Sequence, residues 1–421
     1  MSRSTPLPKG KNSKRIAWFH HLCDNAHYEA AALYLFAFSQ ELFKQGEFRL
    51  LAELHERLIG NLADKPQLAQ SNWGELGSIY GQLGELEKAI MYQQKALEIT
   101  EQIGDVANEM TWRTNIGNRL FSLGRIEEAV HHYQVVLSMA RQHEDRRTEI
   151  VVLLALGSCA AGVGDFSNAL TFYKKVQTIL ETSPEIDATG LIGVLFGNMG
   201  NVYHALGNLS MAISHHDQAL EGTRENAVAY SRALGNLAEA LISADTFAEA
   251  LTCLKEGIAR DKRMGYKLGL SYKHGSLASF YLLQEDFKAA LATANAAVAY
   301  HNPKNDPQIA LLRGIAHLRL GETAAANADF HAANDSASKQ LTLNTRNPEA
   351  LITDILAHCG MGISGVNNMN ESIAALQLKR LRGFCQAPGL EARMKRLLAL
   401  LEPVDSIGLI AAFWSLTDNV S

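Results

Sequence analysis

A chain of 421 residues, 47% apolar and 20% charged, has the composition of an ordinary soluble protein with ample material for a core. Its 39 basic and 44 acidic side chains leave a formal net charge of -5, which excludes a global basic field that would draw it to nucleic acid or an anionic membrane surface. Only nine prolines occur, while alanine, leucine and glycine abound, so the composition predicts helices joined by short turns rather than strands. No stretch approaches the roughly 20 apolar residues that span a bilayer. The five cysteines, Cys23, Cys159, Cys253, Cys359 and Cys385, are scattered and lack any C-x-x-C pair, a pattern of buried free thiols in a reducing compartment, with cytoplasm the default.

The leader MSRSTPLPKGKNSK, residues 1–14, is polar and basic with no apolar run behind it, so it reads as a disordered tail and not as a secretory signal. From about residue 15 to 70 the chain reads as an N-terminal helical cap: YEAAALYLFAFSQELFKQGEFRLLAELHERLI (28–59) holds two apolar-periodic runs broken at Gly46.

From residue 71 to about 335 one pattern recurs. WGELGSIYGQLGELEKAIMYQQKAL (73–97) aligns with RTNIGNRLFSLGRIEEAVHHYQVVL (113–137), with LFGNMGNVYHALGNLSMAISHHDQAL (195–220) and with four further segments. A small residue falls at Gly77, Gly117, Gly157, Gly200, Ala238, Ala278 and Gly314, and twelve residues later comes Ala89, Ala129, Ala169, Ala212, Ala250, Ala290 or Ala326. This spacing predicts pairs of antiparallel helices in close approach, the small residue of the first helix facing the alanine of the second. Gly84, Gly124, Gly164, Gly207, Asp245, Glu285 and Gly321 fall at the turns between them, where a left-handed residue ends a helix. Gly197, Gly200 and Gly207 do not form G-x-G-x-x-G and follow no strand, so a phosphate loop is not required.

After the array, residues 336–421 read as a C-terminal helical cap. Pro348 opens EALITDILAHCGMGI, the polar loop SGVNNMNES (364–372) follows, and then two amphipathic runs carry Lys379, Arg380, Arg382, Arg393, Lys395 and Arg396 with only Glu391 among them. A basic docking face is one reading of these cations. A solvated helix face beside a core is the reading favoured by charge patterning.

Trp73, Leu76, Gly77, Tyr80, Ala89 and Ala96 together resemble the tetratricopeptide repeat, W-x-x-L-G-x-x-Y followed by A and A. The family's usual unit is about 34 residues, whereas the anchors here are 40, 40, 43, 38, 40 and 36 apart and the closing proline is missing, as in extended-repeat members of the family. The resemblance implies an all-α, right-handed α-solenoid of antiparallel helix pairs that serves as a protein–protein interaction scaffold. RIAWFHHLCDNAHYEAA (15–31) is more weakly similar to the joint before the repeat sensor of STAND-type signalling ATPases. No G-x-x-x-x-G-K-[ST] occurs in the chain, so on that alternative the NTPase domain is not in this sequence.

Carried over from the family pattern, the groove-facing positions lie two before and one after each anchor: Glu75 and Ser78, Asn115 and Asn118, Ala155 and Ser158, Asn198 and Asn201, Asn236 and Glu239, Ser276 and Ser279. Asparagine brings both donors and an acceptor. The resemblance implies that Asn115, Asn118, Asn198, Asn201 and Asn236 clamp the backbone of an extended peptide, with Ser158 and Glu239 beside them. Arg232, one turn before Asn236, is placed to meet an acidic residue or a carboxylate, and His204 to line the same groove. The competing reading is that these asparagines bond neighbouring helices and only tie repeats together.

For chemistry the sequence offers little. There is no G-x-S-x-G, no H-E-x-x-H and no nucleophile with an evident base, so no enzyme, catalytic residue or cofactor is expected. Cys23 and His27 make a two-ligand fragment where structural zinc wants four, and no metal is expected. The pairs His131–His132 and His215–His216 fall on second helices, where an outward, solvated or partly packed histidine is expected. The expected partner is a protein or peptide ligand, with no nucleic acid and no membrane.

Overall fold

The computed structural model describes residues 12–188, 190–300, 302–365 and 370–418. Residues 1–11 of the basic leader and 366–369 of the Gly/Asn loop lie outside them. Among the described residues the chain is all helical, without strands. It divides into two compact units, Met1–Val152 and Leu153–Ser421.

Unit one contains α1 (Ser13–Asp24), α2 (Tyr28–Lys44), α3 (Phe48–Glu56), α4 (Pro66–Leu83), α5 (Leu86–Ile103), α6 (Val106–Ser122) and α7 (Ile126–Gln142); the division falls within α8 (Arg146–Gly162). Its first core gathers Ile16, Phe19, Leu35, Leu42, Leu51, Leu54 and Leu58 with Leu76, Ile79 and Ala89 of α4 and α5. Trp112 of α6 packs on Gly74 of α4, where any Cβ would enter the indole.

Unit two continues with α9 (Phe166–Thr182), α10 (Leu191–Ala205), α11 (Leu209–Gly222), α12 (Ala227–Ser243), α13 (Phe247–Met264), α14 (Lys267–Leu283), α15 (Phe287–Val298), α16 (Asp306–Arg319) and α17 (Thr323–Leu343), then α18 (Pro348–Ser364), α19 (Asn370–Phe384), α20 (Pro388–Ala399) and α21 (Leu409–Asp418). From α10 to α17 each helix packs on the next, giving a solenoid of antiparallel pairs.

The turns have a common cause. Gly84, Gly124, Gly164, Gly207 and Gly321 all have φ between 77° and 82°, and Asp245 and Glu285 take φ 59° and 55° at the equivalent places. One left-handed residue stops the first helix of each pair, and the second begins two residues later. Several of these starts are capped: Asp165, Asn208 and Asp286 accept the backbone N–H three residues on, satisfying one of the free donors of the first turn.

The small anchor has a second partner besides the alanine its spacing predicts, which at Gly77 is the Ala89 carbonyl, 2.9 Å from where a Cβ would stand. The alanines twelve residues on are fully buried, but the group lying over the glycine comes four residues later still. A Cβ on Gly117 would stand 2.7 Å from the Tyr133 ring, one on Gly200 2.6 Å from His216, and one on Gly314 2.7 Å from Phe330; Gly77 and Gly157 meet Gln93 and Tyr173 in the same way. The glycine therefore makes room for a large side chain as well as for a close backbone. This overturns the outward reading of the second histidine pair: His216 is 0% exposed and His215 8%.

Candidate binding groove

The named residues of unit one lie on α6. Asn115 is half-buried; Asn118 is exposed and accepts a hydrogen bond of 2.7 Å from the hydroxyl of Tyr133, the ring that covers Gly117.

In unit two, Ser158 on α8 returns its hydroxyl to the Leu154 carbonyl at 3.0 Å and receives the Asn198 amide of α10 at 3.3 Å. That bond ties one repeat to the next, as the competing reading of the asparagines requires. Asn201, one turn on, is exposed and has no side-chain hydrogen bond among the described residues. Nε2 of His204 lies 2.7 Å from the Ser243 hydroxyl, and burial, with Arg393 and His216 nearby, pushes this imidazole down to about 3. It is neutral at physiological pH.

Arg232, Asn236 and Glu239 stand at i, i+4 and i+7 on α12 and so share one face. Arg232 is exposed and Asn236 half-buried, and Arg232 makes no ion pair within 4 Å among the described residues. Glu239 is enclosed: burial pushes its carboxyl up, against the Ser276 hydroxyl and the Arg393 guanidinium, which pull it down.

Four further groups near α12 were not read as site residues from the sequence. Tyr272 of α14 has its phenol pushed up by burial and then by Glu239. Lys304, in the turn before α16, is exposed. Its backbone is pinned, because the Gln340 amide of α17 donates to the carbonyls of Pro303 and Lys304 at 2.9 and 3.3 Å. Glu349, in the first turn of α18, pairs with Arg393 of α20. Burial works against the Arg393 charge, but Glu349 and Glu239 more than offset it and keep the guanidinium protonated.

Arg393 is there because α20 folds back over the helix-pair turns. Gly389 presses on the turn after α10, where a Cβ would meet the His204 carbonyl and stand 2.7 Å from the Gly207 nitrogen. Arg396 donates to the Ile242 and Ser243 carbonyls at 3.1 and 3.3 Å and to the Asp245 carboxylate at 2.6 Å. These are the last carbonyls of α12, which have no partner within their own helix and carry the negative end of its dipole. The basic run is therefore only in part a solvated face: Lys379, Arg380 and Lys395 are exposed, while Arg382, Arg393 and Arg396 are half-buried. Arg382 is paired with Glu391 at 3.0 Å, the Lys395 ammonium sits 5.5 Å over the Trp414 ring, and Arg380 reaches the Thr345 carbonyl at 2.6 Å. Beneath α20 remains a cavity of about 280 Å³, whose wall includes His204, Glu239, Ser243, Ser279, Arg393 and Arg396.

Among the described residues no three His, Cys, Asp or Glu side chains group to hold a metal ion. Among the described residues no helix is long and apolar enough to cross a membrane. None of the five cysteines is in a disulfide.

Helix pairs stacked through a glycine in one helix and a large side chain in the next define an α-solenoid repeat protein. The tetratricopeptide repeat model matches residues 67–142 and 191–263. Three solved structures are similar in fold. The apo quorum sensor NprR from B. thuringiensis is 16% identical with a TM-score of 0.57, over 77% of this chain and 97% of its own. The Rap conjugation gene regulator of plasmid pLS20, solved with the Phr* peptide, is 13% identical with a TM-score of 0.59, over 79% and 96%. Aspartyl phosphate phosphatase F from Bacillus subtilis is 13% identical with a TM-score of 0.55, over 80% and 96%. No curated protein matches the sequence. Residues 67–142 and 191–263 thus carry tetratricopeptide repeats, within a fold that is an all-α solenoid.

Proposed function

We propose that the chain binds an extended peptide or protein segment on the inner face of unit two. The observation that carries this reading is that Arg232, Asn236 and Glu239 share one face of α12, with Glu239 opening on the cavity of about 280 Å³ that His204 and Ser279 also line. Polar groups along one face, with Asn201 and Arg232 exposed and without a side-chain partner among the described residues, suit a ligand that supplies the missing ones. Asn201 and Asn236 hold the ligand's backbone, Asn198 does so while tied to Ser158, and His204 accompanies them as a neutral imidazole. Arg232 and Lys304 take a carboxylate. Asn115 and Asn118 would play the clamping role on unit one. On this reading residues 15–70 and 336–421 flank the repeats as caps, and the unpaired thiols suit the cytoplasm. Two of the similar proteins are described as a quorum sensor and as a regulator bound to a peptide, which accords with a peptide ligand.

The test is selection from a displayed random-peptide library on the full chain and on an Asn198→Ala, Asn201→Ala, Asn236→Ala variant of equal helicity. Peptides retained by the wild type and lost by the variant support the clamp. Equal retention by both overturns it.

A further inference from the structure

We propose that the cavity beneath α20 receives the first residue of the bound segment, with its free α-ammonium on the Glu239 carboxylate and its side chain against the apolar wall. The proposal rests on the peptide-groove reading and says which end of the ligand the groove holds.

Three observations support it. First, Glu239 is the single acid in the wall of this cavity of about 280 Å³, and it makes no ion pair within 4 Å among the described residues. The cations of the roof are already committed, Arg393 to Glu349 and Arg396 to the end of α12 and to Asp245. Second, Ser279 of α14 follows its anchor Ala278 as Glu239 follows Ala238. It lines the same cavity at 8% exposure and has no side-chain hydrogen bond among the described residues. Third, the cavity is bounded along the edge of the helix-pair turns, where Gly389 seats on Gly207 and Arg396 on the Ile242 and Ser243 carbonyls. A segment that enters from the inner face ends there.

The chemistry suits a chain end. An ammonium brings three donors and no acceptor, so it supplies a counter-charge to Glu239 and a donor to the Ser279 hydroxyl. Glu239 is half-buried, and a carboxylate that has lost part of its water gains from a charged donor. His204 does not compete for the acid, because it is neutral and its Nε2 faces Ser243. Leu206, Leu209, Ile242, Leu283 and Leu397 supply the apolar wall. Against the roughly 150 Å³ that holds a benzene, about 280 Å³ is room for one large apolar residue and not for a chain running through. A lysine ammonium carries the same charge, but on a flexible stem whose ordering costs entropy; an α-ammonium is fixed beside its own side chain.

The experiment pans two synthetic random-hexapeptide libraries, one with free and one with acetylated N-termini, on the full chain and on its Glu239→Gln variant of equal helicity. The expected result is that peptides retained from the first library begin with a large apolar residue and bind the wild type at least tenfold more weakly once acetylated. They should also bind Glu239→Gln at least tenfold more weakly, while their acetylated forms bind the two proteins equally. Peptides that bind as well with the acetyl group as without it overturn the subsite and leave the groove reading standing. Sensitivity to acetylation that survives Glu239→Gln overturns the placement on Glu239. Dependence on an internal lysine in place of the free N-terminus overturns the chain-end assignment. No peptide retained from either library overturns both the subsite and the groove. Should Glu239→Gln lose helicity, the acetylation comparison on the wild type decides alone.

Discussion

The ammonium of Lys273 lies 2.6 Å from the Asp261 carboxylate with both side chains sealed from water, at 1% and 0% exposure. Ser231 donates to the other carboxylate oxygen at 2.7 Å, so α12, α13 and α14 meet at one buried charge. Gly257 and Gly269 leave the space that the two side chains occupy. Burial pulls the lysine below its ordinary range, and Asp261 opposes that.

Lys273→Met strands Asp261 and should cost about 3–5 kcal/mol, as removal of one partner of a buried pair does. Adding Asp261→Leu should recover most of it, because Ser231 keeps the Gly257 carbonyl at 3.3 Å as acceptor. Urea midpoints of the single and double variants check both statements.

Gly200→Ala places a methyl 2.6 Å from the His216 ring. The expected loss is about 1–3 kcal/mol from overpacking, and His216→Ala in the same chain should remove the clash and reverse the sign of the Gly200 effect. A thermal double-mutant cycle reads this coupling directly.

His55 and His216 are both 0% exposed, and burial holds each at about 4. Both are neutral in the folded chain, while the unfolded chain takes up protons below about 6.5. Their contribution is therefore fully present above that value, declines as pH falls from about 6.5 to about 4, and is then exhausted. Each can account for at most about 3 kcal/mol. Denaturant titrations at pH 7.5 and 5 should show the lower midpoint at pH 5, and His55→Gln should flatten part of the difference.

Glu285 occupies a left-handed turn at φ 55° where the other repeats mostly use glycine. Its ion pair with Arg319 is long, 3.7 Å, and exposed. Glu285→Gly should stabilise by about 0.5–1 kcal/mol through relief of the backbone. Asp245→Gly, at φ 59°, should gain less because it also releases Arg396. Melting temperatures of the two variants decide between them.

The helix pairs and their stops were legible because a repeat is local: Gly84, Gly124 and Asp245 announce themselves by spacing. The glycine's second partner was not legible from the spacing because twelve and sixteen residues both fall on the near side of the second helix, and the alanine is the more conspicuous of the two. Tyr133, Tyr173 and Phe330 in the sixteenth place were a signal available in the sequence. Arg232 and Glu239 were found on α12 by family register. Arg393 was not, since it arrives on a returning helix, and no periodicity records that positions 239 and 393 line one cavity.

Repeat arrays ordinarily fold and unfold as a row of neighbours, so that ends fray independently of the middle. Unit two is stitched across that row. The Asn344 amide donates to the Gly162 carbonyl 182 residues earlier at 3.0 Å, and Arg396 reaches back 154 residues to Ile242. Neighbouring helix pairs can form early, but these links must wait for nearly the whole unit. Once made, they join the fate of the last helices to that of the first, and melting of unit two becomes closer to a single concerted event.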